Sequence, residues 1–226
     1  MRYARGALKP VHLLVAAALL LPAWSPAAAD EPGEPVLGFA VGARVSAAFP
    51  MGSVLSDPGN GTLLIDELVA ISVPLQLDIG MTVHRRWFVG AYAQYAWSFL
   101  QIGQCKVGQS CSVTGLHVGL EATYAFRDHG GPWVGLGTGW EWMFTSYSTT
   151  SYKTNLDVSG WEYAIFQAGW EVELAPGWMA GPFFTGSIGE FSRASMAADG
   201  QSQNSSIPNK ALHGWIQLGI KGSFSL

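Results

Sequence analysis

Charge is what this chain has least of. Asp, Glu, Lys and Arg make up 12% of its 226 residues, about half the usual ~25% of a soluble domain. Basic residues are outnumbered, 12 against 16 acidic. Three of the 12, Arg2, Arg5 and Lys9, stand in the opening stretch, and the rest of the chain carries nine against 16, a net −7. That balance excludes a nucleic-acid-seeking surface. Cysteine is confined to Cys105 and Cys111. Beyond the opening stretch no apolar run is long enough to cross ~30 Å of hydrocarbon as a helix. Gly-x-Ser-x-Gly, His-Glu-x-x-His and phosphate-loop patterns are missing, so no catalytic, cofactor-binding or metal motif is read from the sequence.

The opening stretch has the form of a targeting segment. Arg2, Arg5 and Lys9 precede an unbroken apolar run from Leu13 to Leu21, which ends at Pro22. Ala27-Ala28-Ala29 then offers small residues for cleavage before Asp30. Residues 1–29 are thus expected to be a cleaved signal peptide, 30–36 a short lead-in, and 37–226 the folded domain.

What the chain does have is glycine (28 residues), aromatics (12%, with ten Trp) and a positive mean hydropathy of +0.21. An apolar chain without a spanning helix has one other way to satisfy its backbone in lipid, a closed β-barrel. The pattern agrees. From Ala211 to Leu226, Leu212, Ile216, Leu218, Ile220, Phe224 and Leu226 fall on one face, while His213, Gln217, Lys221 and Ser223 fall on the other. A strand sends successive side chains to opposite faces, so this is a strand with one apolar and one polar side.

Seven more such stretches precede it: Gly38–Phe49, Val73–Val83, Trp87–Phe99, Val113–Phe126, Trp133–Phe144, Trp161–Leu174 and Trp178–Phe191. In the sixth, Ala164, Phe166, Ala168, Trp170 and Val172 are set against Tyr163, Gln167, Gly169, Glu171 and Glu173. The seventh alternates least clearly. Pro74 and Pro182 sit inside strand patterns, where proline cannot donate to a ladder. Pro74 is expected to mark the true start of the second strand, and Pro182 a bulge. The connections also alternate. His84–Arg86, Arg127–Gly131 and Ala175–Gly177 are short, whereas Met51–Ala70, Gln101–Ser112, Ser146–Ser159 and Ser192–Lys210 are long and polar. No helix pattern and no second domain are read.

The fold expected is an all-β, eight-stranded antiparallel up-and-down transmembrane barrel, with short periplasmic turns and longer extracellular loops. A soluble barrel would need a charged outer face. Here the polar face is mostly Gly, Ser, Ala and Gln, which suits a crowded lumen. The other face is rich in Trp, Leu, Val, Ile and Phe. Its aromatics gather near strand ends: Trp87, Tyr124, Phe126 and Trp178 toward the turns, Trp97, Phe99, Trp142 and Phe144 toward the loops.

Three stretches, Val89-Gly90-Ala91-Tyr92-Ala93-Gln94-Tyr95, Pro132-Trp133-Val134-Gly135-Leu136-Gly137 and Leu218-Gly219-Ile220-Lys221-Gly222-Ser223-Phe224, make the chain resemble the small eight-stranded outer-membrane barrels, the OmpA/OmpX/OmpW-like group. The likeness covers Pro35–Leu226 and concerns architecture. The chain departs from it at its end, which is Leu226 where such proteins often finish in Phe or Trp. The resemblance implies a Gram-negative outer membrane, contact with outer-membrane lipids, insertion by the barrel assembly machinery, and a monomer without cofactor. No surface ligand can be named.

Two constellations remain. Cys105 and Cys111 lie in one loop without nearby His or further Cys, so a disulfide is expected rather than a metal. On the lumen face stand Arg44, Asp78, His117, Glu121, Glu141, Glu171 and Lys221, with Glu173 toward the periplasmic mouth. Arg44, Lys221, Asp78 and Glu121 fall at similar heights, and the short turns set His117 opposite Glu141. Such groups must pair in a narrow lumen, because an isolated buried charge costs several kcal/mol. They form either a plug or a gate. An enzyme would need a hydrogen-bonded set from His117, Glu121, His213 and loop serines. His117 and Glu121 lie ~13 Å apart along a strand at ~3.3 Å per residue, too far to pair, so catalysis is not expected. The role favoured is structural or surface-interacting, through the loops. The alternatives are a narrow passage for small solutes, apolar ones included, and a lipid-modifying enzyme.

Overall fold

The computed structural model describes residues 37–226, apart from 58–60, 102, 104, 106–107, 150–151, 199–200 and 208. The expected signal peptide and lead-in lie outside the described residues. Among those described, no helix is long and apolar enough to cross a membrane.

Ten strands and one helical turn follow one another: β1 (Leu37–Asp57), β2 (Gly61–Leu64), α1 (Ile65–Leu68), β3 (Val69–Val83), β4 (Trp87–Leu100), β5 (Ser110–Ala125), β6 (Gly130–Ser148), β7 (Lys153–Ala175), β8 (Trp178–Ala198), β9 (Gln201–Ser206) and β10 (Leu212–Ser225). Eight of them close a ring, β1-β3-β4-β5-β6-β7-β8-β10, all neighbours antiparallel. The seam joins the last strand to the first, with Val41 opposite Phe224 and Gly52 opposite His213. No edge of the ring is left unpaired, the condition for a sheet in lipid. The remaining two strands extend hairpins at the loop end, β2 on β1 and β9 on β8.

Short turns join strands at the opposite end. His84 and Arg85 both have positive φ (51° and 56°), and Arg86 N donates to Val83 O. Those two residues form a type I′-like turn, whose twist suits antiparallel strands, within a three-residue connection from Val83 to Trp87. Gly177, at φ 78°, follows Pro176 in the second tight turn.

Side-chain alternation is preserved around the ring. Leu77, Ile79, Leu120, Leu136, Leu218 and Ile220 point outward and are exposed, while Arg44, Gln76, Asp78, Gln94 and Glu121 point inward and are buried. Outward aromatics pair near both ends: Trp87 with Tyr124 (4.9 Å) and Trp178 with Phe224 (4.8 Å) at the turns, Tyr95 with Trp97 (4.9 Å) and Trp140 with Trp161 (5.9 Å) toward the loops.

The strands run further than alternation indicates, because the long connections are themselves β-hairpins: β6 and β7 stay paired to Ser148–Lys153, and β8 and β9 to Ala198–Gln201. The first loop also holds α1, a single turn that buries Ile65 and Leu68 and exposes Asp66 and Glu67. These two pack with Val54, Val69, Val113, Val158, Phe191 and Trp215 into an apolar cap over the loop end of the lumen.

Three local expectations are corrected. Pro74 does not start its strand: β3 begins at Val69, and Pro74 pairs with Ala96 of β4. The β1–β3 ladder instead passes from Val45–Leu75 to Ala48–Ser72, so the strand spends its missing donor on one side only. Pro182 makes no bulge. It faces Ile220 in an unbroken β8–β10 register, and Phe183, Thr185, Ser187, Gly189 and Phe191 alternate cleanly inward. A bulge lies in β7 instead, where the register shifts between Glu162 and Ala164. It turns Tyr163 outward and puts Glu162 in the lumen.

Candidate functional site in the barrel lumen

The polar side chains of the ring stack in two layers. The lower opens on a vestibule of about 440 Å³ at the turn end, lined by Asp78, Arg86, Glu171, Lys221 and Leu226 among others. At its roof Arg44 of β1 and Lys221 of β10 are direct cross-strand partners. Arg44 uses its whole fork. Nε donates to Asp78 Oδ2 (2.7 Å), Nη2 to Glu121 Oε1 (2.5 Å) and Nη1 to Gln167 Oε1 (2.5 Å). Gln167 Nε2 in turn donates to Glu121 Oε2 (2.8 Å), and Gln76 Nε2 to Asp78 Oδ1 (2.7 Å). The guanidinium also sits 5.8 Å from the rings of both Trp133 and Phe183, within cation–π range. Lys221 reaches the other way, with Nζ 3.1 Å from Glu171 Oε1 and 4.4 Å from the Trp133 ring.

The upper layer contains no lysine or arginine. His117 of β5 and Glu141 of β6 are cross-strand partners. His117 Nδ1 lies 3.7 Å from Glu141 Oε2 and 3.5 Å from Glu162 Oε2. His213 Nε2 contacts the other oxygen of Glu141, and its ring stacks on Phe191 at 4.0 Å. Tyr92 Oη donates to Glu162 Oε2 (3.2 Å) and Trp215 Nε1 to Glu141 Oε2 (3.4 Å). Glycine makes room for this crowding. A Cβ at Gly189 would meet Glu141 Oε1 and His213 Nε2, each at 3.2 Å, and Gly119 and Gly139 leave space for the Tyr92 ring. Two cavities of about 10 Å³ adjoin the layer, each about one water in size.

All seven lumen residues named from the sequence point inward and are buried. They do not form one network: Arg44, Asp78, Glu121, Glu171 and Lys221 make the lower layer, while His117 and Glu141 belong to the upper. Glu173 stands at the vestibule rim, 3.3 Å from His129. Sequence reasoning missed Glu162 and the part played by Tyr92. Strict alternation counted back from Glu171 puts Tyr163 inside, and only the β7 bulge reverses that. The one sequence cue was chemical, a lone carboxylate between Trp161 and Tyr163 on what alternation makes the lipid face. The bulge leaves the Glu162 carbonyl off the ladder, and Thr138 Oγ1 donates to it at 2.8 Å.

Outside the lumen, Cys105 is disulfide-bonded to Cys111, Cα to Cα 5.9 Å; the two do not share one loop, for Cys105 lies in the β4–β5 loop while Cys111 lies in β5, paired with Tyr147 of β6. At the turns Arg86 Nε donates to Asp128 Oδ1 (2.7 Å), which raises the Arg86 guanidinium further above its ordinary value. Such an exposed pair adds little stability.

A closed antiparallel ring with an apolar outer wall, aromatics near both ends and a polar interior is an outer-membrane-type β-barrel. No protein-family model matches the chain, and no curated protein matches it. Among solved structures it is similar to the neisserial surface protein NspA (12% identity over 81% of this chain and 95% of that one, TM-score 0.45). It is also similar to Ail, the attachment invasion locus protein of Yersinia pestis (10%, 83% and 97%, TM-score 0.43), and to the outer membrane protein AlkL in lipid bilayers (14%, 88% and 94%, TM-score 0.46). Likeness at this level says nothing of role.

Proposed function

We propose that the chain is a monomeric outer-membrane barrel with a closed lumen, whose role lies in the hairpins at its loop end. On this reading the signal peptide is cleaved, the barrel assembly machinery inserts the chain, and the loops meet a surface partner or brace the membrane. The observation that carries the proposal is the interrupted lumen. The vestibule stops at the Arg44 layer, only water-sized cavities adjoin the layer above, and the apolar cap covers the loop end. A buried Arg bonded to two carboxylates does not shift without leaving charges unpaired. The same seal gives a substrate no route to His117 or His213, which favours a non-enzymatic protein.

The vestibule supports a second reading, a narrow passage that opens when Arg44 exchanges partners. Planar-bilayer recording separates the two. A closed barrel gives no stepwise conductance with the wild type or with Arg44→Ala, because the upper layer and the apolar cap still close the lumen above the vestibule. Regular conductance steps from the wild type overturn the closed reading.

A further inference from the structure

The upper layer brings two buried carboxylates together with no lysine or arginine among the described residues beside them. Glu141 and Glu162 are both buried, and among the described residues their charged partners are two histidines. The lumen cations are engaged below, Arg44 with Asp78 and Glu121, Lys221 with Glu171. His213 places Nε2 on Glu141 while its buried Nδ1 has no hydrogen-bond partner.

The spacing around His117 bears on what balances the two carboxylates. Its Nδ1 makes a long hydrogen-bond contact of 3.5 Å to Glu162 and stands 3.7 Å from Glu141, both longer than the usual N–H···O bond. All three ligand atoms lie within 4.8 Å of one another. Ligands ~2.0–2.2 Å from a tetrahedral ion are separated by about 3.4 Å. The gap is thus wide for a shared proton and near the size for an ion.

We propose that His117, Glu141 and Glu162 form a buried site for one divalent transition-metal ion of zinc-like preference, with His213 as the positioning residue that orients Glu141. A dication carries the charge that balances the two buried carboxylates. One imidazole among carboxylates selects zinc or a similar first-row ion over calcium or magnesium. Tyr92 and Trp215 donate to Glu162 Oε2 and Glu141 Oε2, the same oxygens that face His117, and fix both carboxylates as outer partners do around a metal site. The cavity beside His117 and Glu141, about 10 Å³, has room for one water as a fourth ligand. Because the three ligands come from β5, β6 and β7 and His213 from β10, the ion ties strands across the ring. The seal above and below means that it enters as the barrel closes.

The test uses the full-length untagged protein, isolated from membranes and also refolded into detergent with Zn²⁺ or Co²⁺. Bound metal is measured per folded chain after gel filtration, with folding checked by mobility of the unboiled sample. About one equivalent is expected, with the intense visible absorption of low-coordinate Co²⁺. His117→Gln and Glu162→Gln should lose it, and His213→Gln should bind about 10–100-fold more weakly. A His84→Ala/His129→Ala variant, altered only at the turns, should bind like the wild type. Wild-type protein that is folded and metal-free after both preparations overturns the site. So does full retention in the His117 and Glu162 variants, or loss in the turn variant alone. Should those lumen variants fail to fold, the wild-type stoichiometry and Co²⁺ spectrum decide.

Discussion

Arg44 and Lys221 face each other directly across the seam that closes the barrel, two buried cations side by side. Like charges directly opposite are destabilising. They are held because each leans toward a different set of carboxylates, Arg44 to Asp78 and Glu121 and Lys221 to Glu171. The first and last strands meet at two buried cations, so the seam depends on carboxylates that come from β3, β5 and β7.

Arg44→Ala should therefore destabilise the barrel by about 3–5 kcal/mol, because Asp78 and Glu121 are left buried without their cation. Arg44→Lys should recover only part of that, since three different nitrogens of the fork are used. Urea midpoints in lipid vesicles measure both. Equal midpoints for wild type and Arg44→Ala would show that the lower layer contributes nothing to stability.

The two faces of β3 should respond oppositely to charge. Leu77 is 60% exposed on the outer wall and Gln76 is 9% exposed in the lumen. Leu77→Arg should cost about 2–4 kcal/mol if it sits near the bilayer midplane. Gln76→Arg should be limited by lumen packing and by pairing with Asp78. Spin labels at the two positions should report lipid contact for 77 and not for 76. The same accessibility at both positions contradicts the register.

Glycine in the upper layer should be intolerant of a methyl group. A Cβ at Gly119 would run into the Thr138 carbonyl and come within 2.6 Å of the Tyr92 ring, whereas one at Gly222 meets nothing nearer than 4.0 Å. Gly119→Ala should cost about 1–3 kcal/mol by overpacking, and Gly222→Ala should stay within about 0.5 kcal/mol of the wild type. Denaturant unfolding of the pair is the check. A harmless Gly119→Ala would mean that Tyr92 does not fill the lumen at that height.

Cys105→Ser/Cys111→Ser should still insert and fold, since the disulfide ties the β4–β5 loop to the start of β5, beyond the last β4–β5 pair and out on the β5–β6 hairpin. About 2 kcal/mol of loop-closure stabilisation is lost, and it is lost locally. The unboiled mobility should be unchanged while a protease cuts the loop faster. A double variant that fails to assemble shows that the loop is needed for barrel formation.

Alternation is enough to read the ring of eight strands and the inward position of Arg44, Asp78, Glu121 and Lys221, and the short turns add the His117–Glu141 pairing. The reason is physical: in lipid every outward residue must be apolar and every backbone group paired, so the period of two is enforced on every strand. Tight turns then carry register from one strand to the next. The same rule fails wherever one residue breaks the count. The β7 bulge changes nothing in composition, yet it exchanges Tyr163 for Glu162 inside the barrel.

What the sequence by itself determined is the architecture and the sign of each face, because these follow from local alternation repeated eight times. What only the tertiary structure decided is which buried charges meet. That depends on ring closure, which brings β1 to β10, and on one bulge, which brings Glu162 to His117. Arg44, Glu121 and Gln167 come from strands far apart in sequence and meet because the ring is narrow enough for side chains to span it.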